Sequence, residues 1–272
     1  MSHRAGVVTG FVKGVDAAQG RVQVEYRGMQ ESLLSPWAYV AAPMSGQGRG
    51  ALFMPEVDDE VLVCFADGDF NHPFVVGFLW NGEQTSPEEH AYNRVIVTPG
   101  GHQLRFEDKE NDRRVILKSD GGHQLRLEDK AGDEQASLKT NAGRELRLED
   151  HGTGKVVVNS GSHEIVLNDL PANSKITISA GKGAGATITL TQTPLPSLTI
   201  DVAGNTISAG ASGVSVTSPS MVSVSCSAAT LTAGTLSVNA GLTTFAGTVI
   251  CTSLIASSVV SPLYSPGVGN LV

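Results

Sequence analysis

The chain has 272 residues, a net charge of −8, 40% hydrophobic residues, only 5% aromatic ones, and 31 glycines. Basic clusters that would mark a nucleic-acid partner are absent, no apolar run is long enough to cross a bilayer, and no signal peptide opens the chain. Cys64, Cys226 and Cys251 are too widely spaced for a disulfide framework or a metal cluster, and Cys226 and Cys251, which alternate with small residues, are expected to be buried thiols. Charge is uneven: residues 1–90 carry five Lys/Arg against twelve Asp/Glu, residues 91–182 carry fourteen of each, and from 183 onward Asp201 is the only Asp, Glu, Lys or Arg.

Residues 1–83 are short β-rich runs broken by Gly and Pro. Val7–Val12, Arg21–Tyr26, Glu60–Phe65 and Phe74–Leu79 read as strands, and Asp16-Ala-Ala-Gln-Gly20 as a hairpin turn. About five strands in about 80 residues predict a small closed barrel of the OB type. Gly46-Gln-Gly-Arg-Gly50 lacks the helix and lysine of a phosphate-binding loop and reads as a barrel loop. Residues 84–93 form a polar linker.

Residues 94–200 repeat themselves. Gly101-His-Gln-Leu-Arg-Phe-Glu-Asp108, Gly122-His-Gln-Leu-Arg-Leu-Glu-Asp129 and Gly143-Arg-Glu-Leu-Arg-Leu-Glu-Asp150 start 21 residues apart, and Ser162-His-Glu-Ile-Val-Leu-Asn-Asp169 is a worn fourth copy. Such a repeat cannot bury its apolar face alone and must stack. The apolar residues come as i, i+2 pairs: Leu104/Phe106, Val115/Leu117, Leu125/Leu127, Ala136/Leu138, Leu146/Leu148, Val156/Val158, Ile165/Leu167, Ile176/Ile178, Ile188/Leu190 and Leu198/Ile200. Period two puts both members of a pair on one strand face, with Arg, Lys, Glu and Gln on the other.

Residues 201–272 keep the alternation and lose the charge, as in Val214-Ser-Val216, Val222-Ser-Val224 and Leu236-Ser-Val238. The small Ser, Thr, Ala and Gly between them suit a narrow cross-section. Two inward side chains per strand are too few for a solitary solenoid. Three chains around one triangular core would supply the missing walls. At about 4.8 Å per layer and about 10 residues per layer, the shaft would be about 80 Å long. The expected fold is thus all-β: an N-terminal OB-fold barrel followed by a long triangular trimeric β-helix, or β-prism, with Leu104, Phe106, Val115, Leu117, Leu125, Leu127, Leu146, Leu148, Val156, Val158, Ile165, Leu167, Ile176 and Ile178 as the trimer core.

Catalytic readings fare poorly. Glu107-Asp108, Glu128-Asp129 and Glu149-Asp150 resemble glycosidase pairs, but neighbours on a strand point to opposite faces and cannot share a substrate. His102, His123 and His163 recur with the repeat next to its turns, which suits a hydrogen-bonded turn or surface role better than a metal stripe. No cofactor, metal site or enzymatic activity is expected.

The segment Trp37-Ala-Tyr-Val-Ala-Ala-Pro-Met-Ser-Gly-Gln-Gly-Arg-Gly-Ala-Leu-Phe-Met-Pro-Glu-Val-Asp-Asp-Glu-Val-Leu-Val-Cys-Phe65 resembles the OB domain of phage baseplate assembly protein V and the VgrG spike family. Gly68-Asp-Phe-Asn-His-Pro-Phe-Val-Val-Gly-Phe-Leu-Trp-Asn-Gly82 does so too, and the Gly-His-x-Leu-x-x-Glu-Asp repeats are similar to that family's stalk. The resemblance implies a homotrimeric, membrane-piercing central spike in the baseplate of a contractile injection machine, a phage tail or tail-like particle. It would be made in the cytoplasm and act at the target cell envelope. The chain begins at the barrel, so a separate hub protein is implied at the OB end. The short linker leaves no room for an inserted lysozyme, and no His follows His163 to form an iron-binding tip. A PAAR-type tip protein is therefore expected at the C-terminal end, on Leu263, Tyr264, Asn270, Leu271 and Val272. Two other readings compete. A trimeric receptor-binding tail fibre or adhesin calls for a distal head with exposed aromatics. A β-helical polysaccharide-degrading enzyme calls for one unrepeated acidic cluster.

Overall fold

The computed structural model describes residues 6–27, 33–152, 154–181 and 185–261. They fall into two units, residues 1–221 and 222–272.

The first unit opens with β1 (Val8–Asp16), β2 (Arg21–Tyr26), β3 (Ala38–Val40), β4 (Ser45–Gly46), β5 (Arg49–Gly50), β6 (Glu60–Phe65) and β7 (Pro73–Phe78). Strands β1, β2, β3, β7 and β6 close a barrel in that order. All its pairs are antiparallel except β3 with β7, where Tyr39 faces Phe74. This is the five-stranded OB arrangement that the sequence predicts. Alternation turns Val12, Val22, Val24, Val61, Val63 and Val75 fully inward. Valine suits these positions because its branched Cβ packs well on a pleated surface. Tyr26, Phe65 and Phe70 cluster with ring centroids 5.0–5.9 Å apart and pack against this core. Gly10 is the tightest point of the β1–β2 pair, since a Cβ there would lie 2.5 Å from the Glu25 carbonyl oxygen and from Val24 Cγ1. The Gly46–Gly50 segment is the small β4–β5 hairpin, with Gly48 at φ +67°.

The stalk follows as β8 (Asn93–Val97), β9 (Gln103–Lys109), β10 (Asp112–Lys118), β11 (Gln124–Glu128), β12 (Gln135–Lys139), β13 (Glu145–Glu149) and β14 (Lys155–Asn159). It continues as β15 (His163–Asn168), β16 (Lys175–Ala180), β17 (Ala186–Thr191), β18 (Ser197–Val202), β19 (Asn205–Gly210) and β20 (Gly213–Thr217). These make one 13-stranded antiparallel sheet in which each strand pairs only with its neighbours in sequence. Each repeat is two strands, as its two apolar pairs require.

The repeat's first glycine explains the register. In the β8–β9 connection the Gly101 N–H donates to the Thr98 carbonyl (2.9 Å), the Thr98 N–H donates to the His102 carbonyl (2.9 Å), and Gly101 sits at φ +80°. Gly122 and Gly143 occupy the same place at φ +83° and +80°. Glycine reaches this left-handed conformation without the strain a Cβ would bring. Because the turn repeats, the strand register repeats.

The structure differs from the sequence expectation in two places. Regular pairing continues past residue 200 but ends at Thr217. Between 218 and 261 the described chain contains no strand, although Val222-Ser-Val224 and Leu236-Ser-Val238 alternate as strands do. Cys226 and Cys251, expected to be buried, are exposed, as are the other described residues from Met221 to Ser261, where no sheet forms to cover a face.

Candidate assembly surface

The strand register joins the apolar pairs into two unbroken files on one face of the stalk. One runs Phe106, Val115, Leu127, Ala136, Leu148, Val156, Leu167, Ile176, Leu190. The other runs Leu104, Leu117, Leu125, Leu138, Leu146, Val158, Ile165, Ile178, Ile188. All fourteen residues singled out as a trimer core in the sequence therefore share one face, brought together from β9 to β16. Within one chain that face is open: Leu117 and Leu138 are each 53% exposed, and Leu125, Leu127, Leu146, Leu148 and Val158 are exposed as well. An exposed apolar strip this long marks an interaction surface.

The opposite face is the better covered one. Its long side chains lie across the strands and pair. Arg105 Nε donates to Glu107 Oε1 at 2.6 Å, and Arg105 also reaches Glu88 of the linker. Arg114 binds Glu107, donates to Asp112 at 3.2 Å and lies 3.6 Å from Glu128. Arg126 closes on Glu128, which is only 2% exposed. Further along, Arg147 bonds Glu149 at 2.7 Å and Glu145 at 3.2 Å, and Lys155 lies 3.4 Å from Glu149. Burial opposes the charge on Glu107, yet bonds from Arg114 and Arg105 outweigh it and hold the carboxyl below the usual range. Glu149 behaves the same way, with burial outweighed by Arg147 and Lys155. Glu88 is also held low, chiefly by the His90 amide that donates to it. That bond lies within the linker, and the Arg105 pair ties the linker to β9.

The sequence did not reveal this network, because it depends on which strands are neighbours. It also hid the Val157 side chain, buried at 3% on the polar face beside Arg147. On the barrel it missed Phe74, Val76 and Phe78, which alternate outward along β7, and the exposed Trp80 that follows. The run Pro-Phe-Val-Val-Gly-Phe is apolar on both faces, so its sequence carries no alternation to mark which side chains point outward.

The repeated histidines have a definite place. The Nδ1 atoms of His102, His123 and His163 accept the backbone N–H of Asp120 (3.2 Å), Asn141 (3.3 Å) and Gly181 (3.2 Å). Each ties its own turn to the turn two strands further on. Glu107 and Asp108 project to opposite faces, since consecutive strand residues must. Among the described residues, no group of three or more His, Cys, Asp or Glu could hold a metal. Among the same residues, no helix is long and apolar enough to cross a membrane. Leu263, Tyr264, Asn270, Leu271 and Val272, expected to bind a tip protein, lie outside the described residues.

Residues 4–80 match the family model of the type VI secretion system/phage-baseplate injector OB domain. The spike protein VgrG4b of Pseudomonas aeruginosa is 31% identical over 111 residues, 36% of this chain and 14% of that protein. VgrG5 of the same organism is 33% identical over 111 residues, again 36% and 14%. The spike protein VgrG3 of Vibrio cholerae is 30% identical over 91 residues, 30% of this chain and 9% of that protein. The matched stretch is thus a small part of these longer relatives. The comparisons support a relationship to VgrG-like spikes of type VI secretion systems and baseplates.

Proposed function

We propose that this relative of the VgrG and baseplate spikes is the structural, non-enzymatic central spike of a contractile injection machine, and that it works as a homotrimer. The observation that carries the reading is the pair of apolar files. They run unbroken across the stalk on one face, and one chain leaves them exposed. Three copies facing inward would cover one another's files and leave the paired charges outside. A narrow shaft with its strands hydrogen-bonded suits a mechanical load, and charge-free distal residues lose less hydration than charged ones on entering a bilayer.

In this reading a hub protein engages the barrel end, a PAAR-type protein caps the C-terminal end, and the target membrane is met only during contraction. The protein is a component of a phage tail or tail-like particle and acts at the target cell envelope. Light scattering on the purified full chain tests the central claim. Three chains per particle are expected, and one chain per particle would overturn it. Absence of cell-wall clearing by the same preparation is expected, and clearing would refute the non-enzymatic role.

A further inference from the structure

We infer that the repeat carries its own side-chain latch between copies of this chain: the His or Arg that opens each repeat on one copy bonds the Asp that closes it on the next copy. The inference rests on the trimeric reading above and adds to it what holds the three sheets in step.

The first observation is parity. The second, fourth, sixth and eighth residues of a repeat share one strand face. His102, Leu104, Phe106 and Asp108 are such a set, and so are Arg144, Leu146, Leu148 and Asp150. Ladder bonds carry the strand order to both ends of the set. The Thr140 N–H donates to the Arg144 carbonyl and the Asp150 N–H to the Glu134 carbonyl, each at 2.8 Å. Strands β9, β11, β13 and β15 run the same way, because every neighbouring pair between them is antiparallel. The apolar files are therefore flanked along one margin by His102, His123, Arg144 and His163. Along the other margin stand Asp108, Asp129, Asp150 and Asp169.

The second observation is that neither margin is satisfied within its own chain. On the opposite face Glu107, Glu128 and Glu149 are all ion-paired. The aspartate that follows each of them is exposed, and its carboxylate makes no hydrogen bond or ion pair in the chain; the same holds for Asp169 and for the Arg144 guanidinium. The three histidines are half engaged. Nδ1 of each accepts a backbone N–H, which leaves the ring proton on Nε2 as a donor with no partner in the chain.

The third observation selects the partner. Arg144 and Asp150 are six residues apart on one extended strand, about 20 Å, so they cannot meet within a chain. In a ring of three identical sheets, one margin of each copy meets the opposite margin of the next. Donors then face acceptors at every corner. The opening and closing residues belong to one strand and so stand level, which matches each repeat with the same repeat of its neighbour. A slip by one strand would set the aspartates against Ser119, Thr140 and Ser160, the uncharged residues that the return strands place at that margin. The latch thus opposes a slip that the apolar files alone would tolerate.

The third repeat, with a permanent charge at each end, gives the test. Full-length Arg144→Glu, Asp150→Arg and the double variant are compared with wild type by thermal unfolding, with mass measured in parallel. Each single variant is expected to lower the midpoint by about 2–4 °C, and the double variant to regain at least half of that loss. Recovery across about 20 Å of one strand can come only from another copy. A trimer in which the single variants unfold like wild type, or in which the two losses add, overturns the inference and leaves the trimer standing. A second arm places Arg144→Cys and Asp150→Cys in the full chain with Cys64→Ser, Cys226→Ser and Cys251→Ser, and adds a short bismaleimide. Covalent trimers are expected, and a trimer that gives no covalent product between copies overturns the latch. A wild-type monomer overturns the trimeric reading together with it.

Discussion

Replacing Leu117 with alanine separates a solitary sheet from a shared core. Leu117 stands in one apolar file between Leu104 and Leu125 and is 53% exposed in one chain. Complete burial of a leucine contributes about 1.5–3 kcal/mol. A side chain only half covered therefore loses about 1 kcal/mol when truncated in an isolated sheet. In a threefold core the same truncation removes a fully buried side chain and leaves a cavity, at about 2–5 kcal/mol per chain. The three copies share one level, so the losses fall together. Denaturant unfolding followed by circular dichroism, at fixed protein concentration and with mass measured alongside, distinguishes the two. The expected result is a loss in the larger range per chain. A loss of about 1 kcal/mol or less with mass unchanged would refute the argument that the files face one another. Leu117→Asp sharpens the contrast, because an isolated sheet tolerates a half-exposed carboxylate and a threefold core would bury three.

Gly10→Ala is expected to destabilise the barrel by about 1–3 kcal/mol, since its Cβ would sit 2.5 Å from the Glu25 carbonyl oxygen. A denaturation midpoint equal to wild type would contradict that close approach. Glu107 and Glu149 have depressed folded pKa values, so their contribution is fully present above the unfolded glutamate value of about 4.3 and is lost as pH falls through the folded values. Stalk stability should thus be flat around neutrality and fall below about pH 4.3, and Glu107→Gln with Glu149→Gln should flatten that acid limb. An acid limb unchanged in the double variant would assign it to other groups. His123→Ala should cost about 0.5–1.5 kcal/mol and speed exchange of the Asn141 amide, whose acceptor it removes. Unaltered exchange at Asn141 would show that the bond does not persist in solution.

Much of the fold was legible because it follows from periods. A two-residue period assigns Leu125 and Leu127 to one face and Arg126 to the other, whatever the strand's neighbours. A glycine at a fixed place in the repeat announces a recurring turn. The barrel was legible from Val-rich runs between turn residues, and β2 and β6 have the predicted bounds. The ion pairs were not. Arg114 and Glu107 are seven residues apart, and only the β9–β10 register makes them partners. The histidine bonds were half legible: proximity to turns suggested a turn role, but the acceptor's partner lies eighteen residues on.

The sequence by itself determined which side chains share a face, where the chain turns, and that some of its apolar surface lacks cover. Those properties are local, set by strand pleat and by the few residues that tolerate positive φ. The tertiary structure alone decided that the stalk pairs strictly with its sequence neighbours, that the charged face is the one covered within a chain, and that pairing within the chain ends at Thr217. The reason is that alternation specifies a strand but not its partner. Hydrogen-bond donors and acceptors are the same in every strand, so partnership is settled by whether the connection before it can bring the chain back.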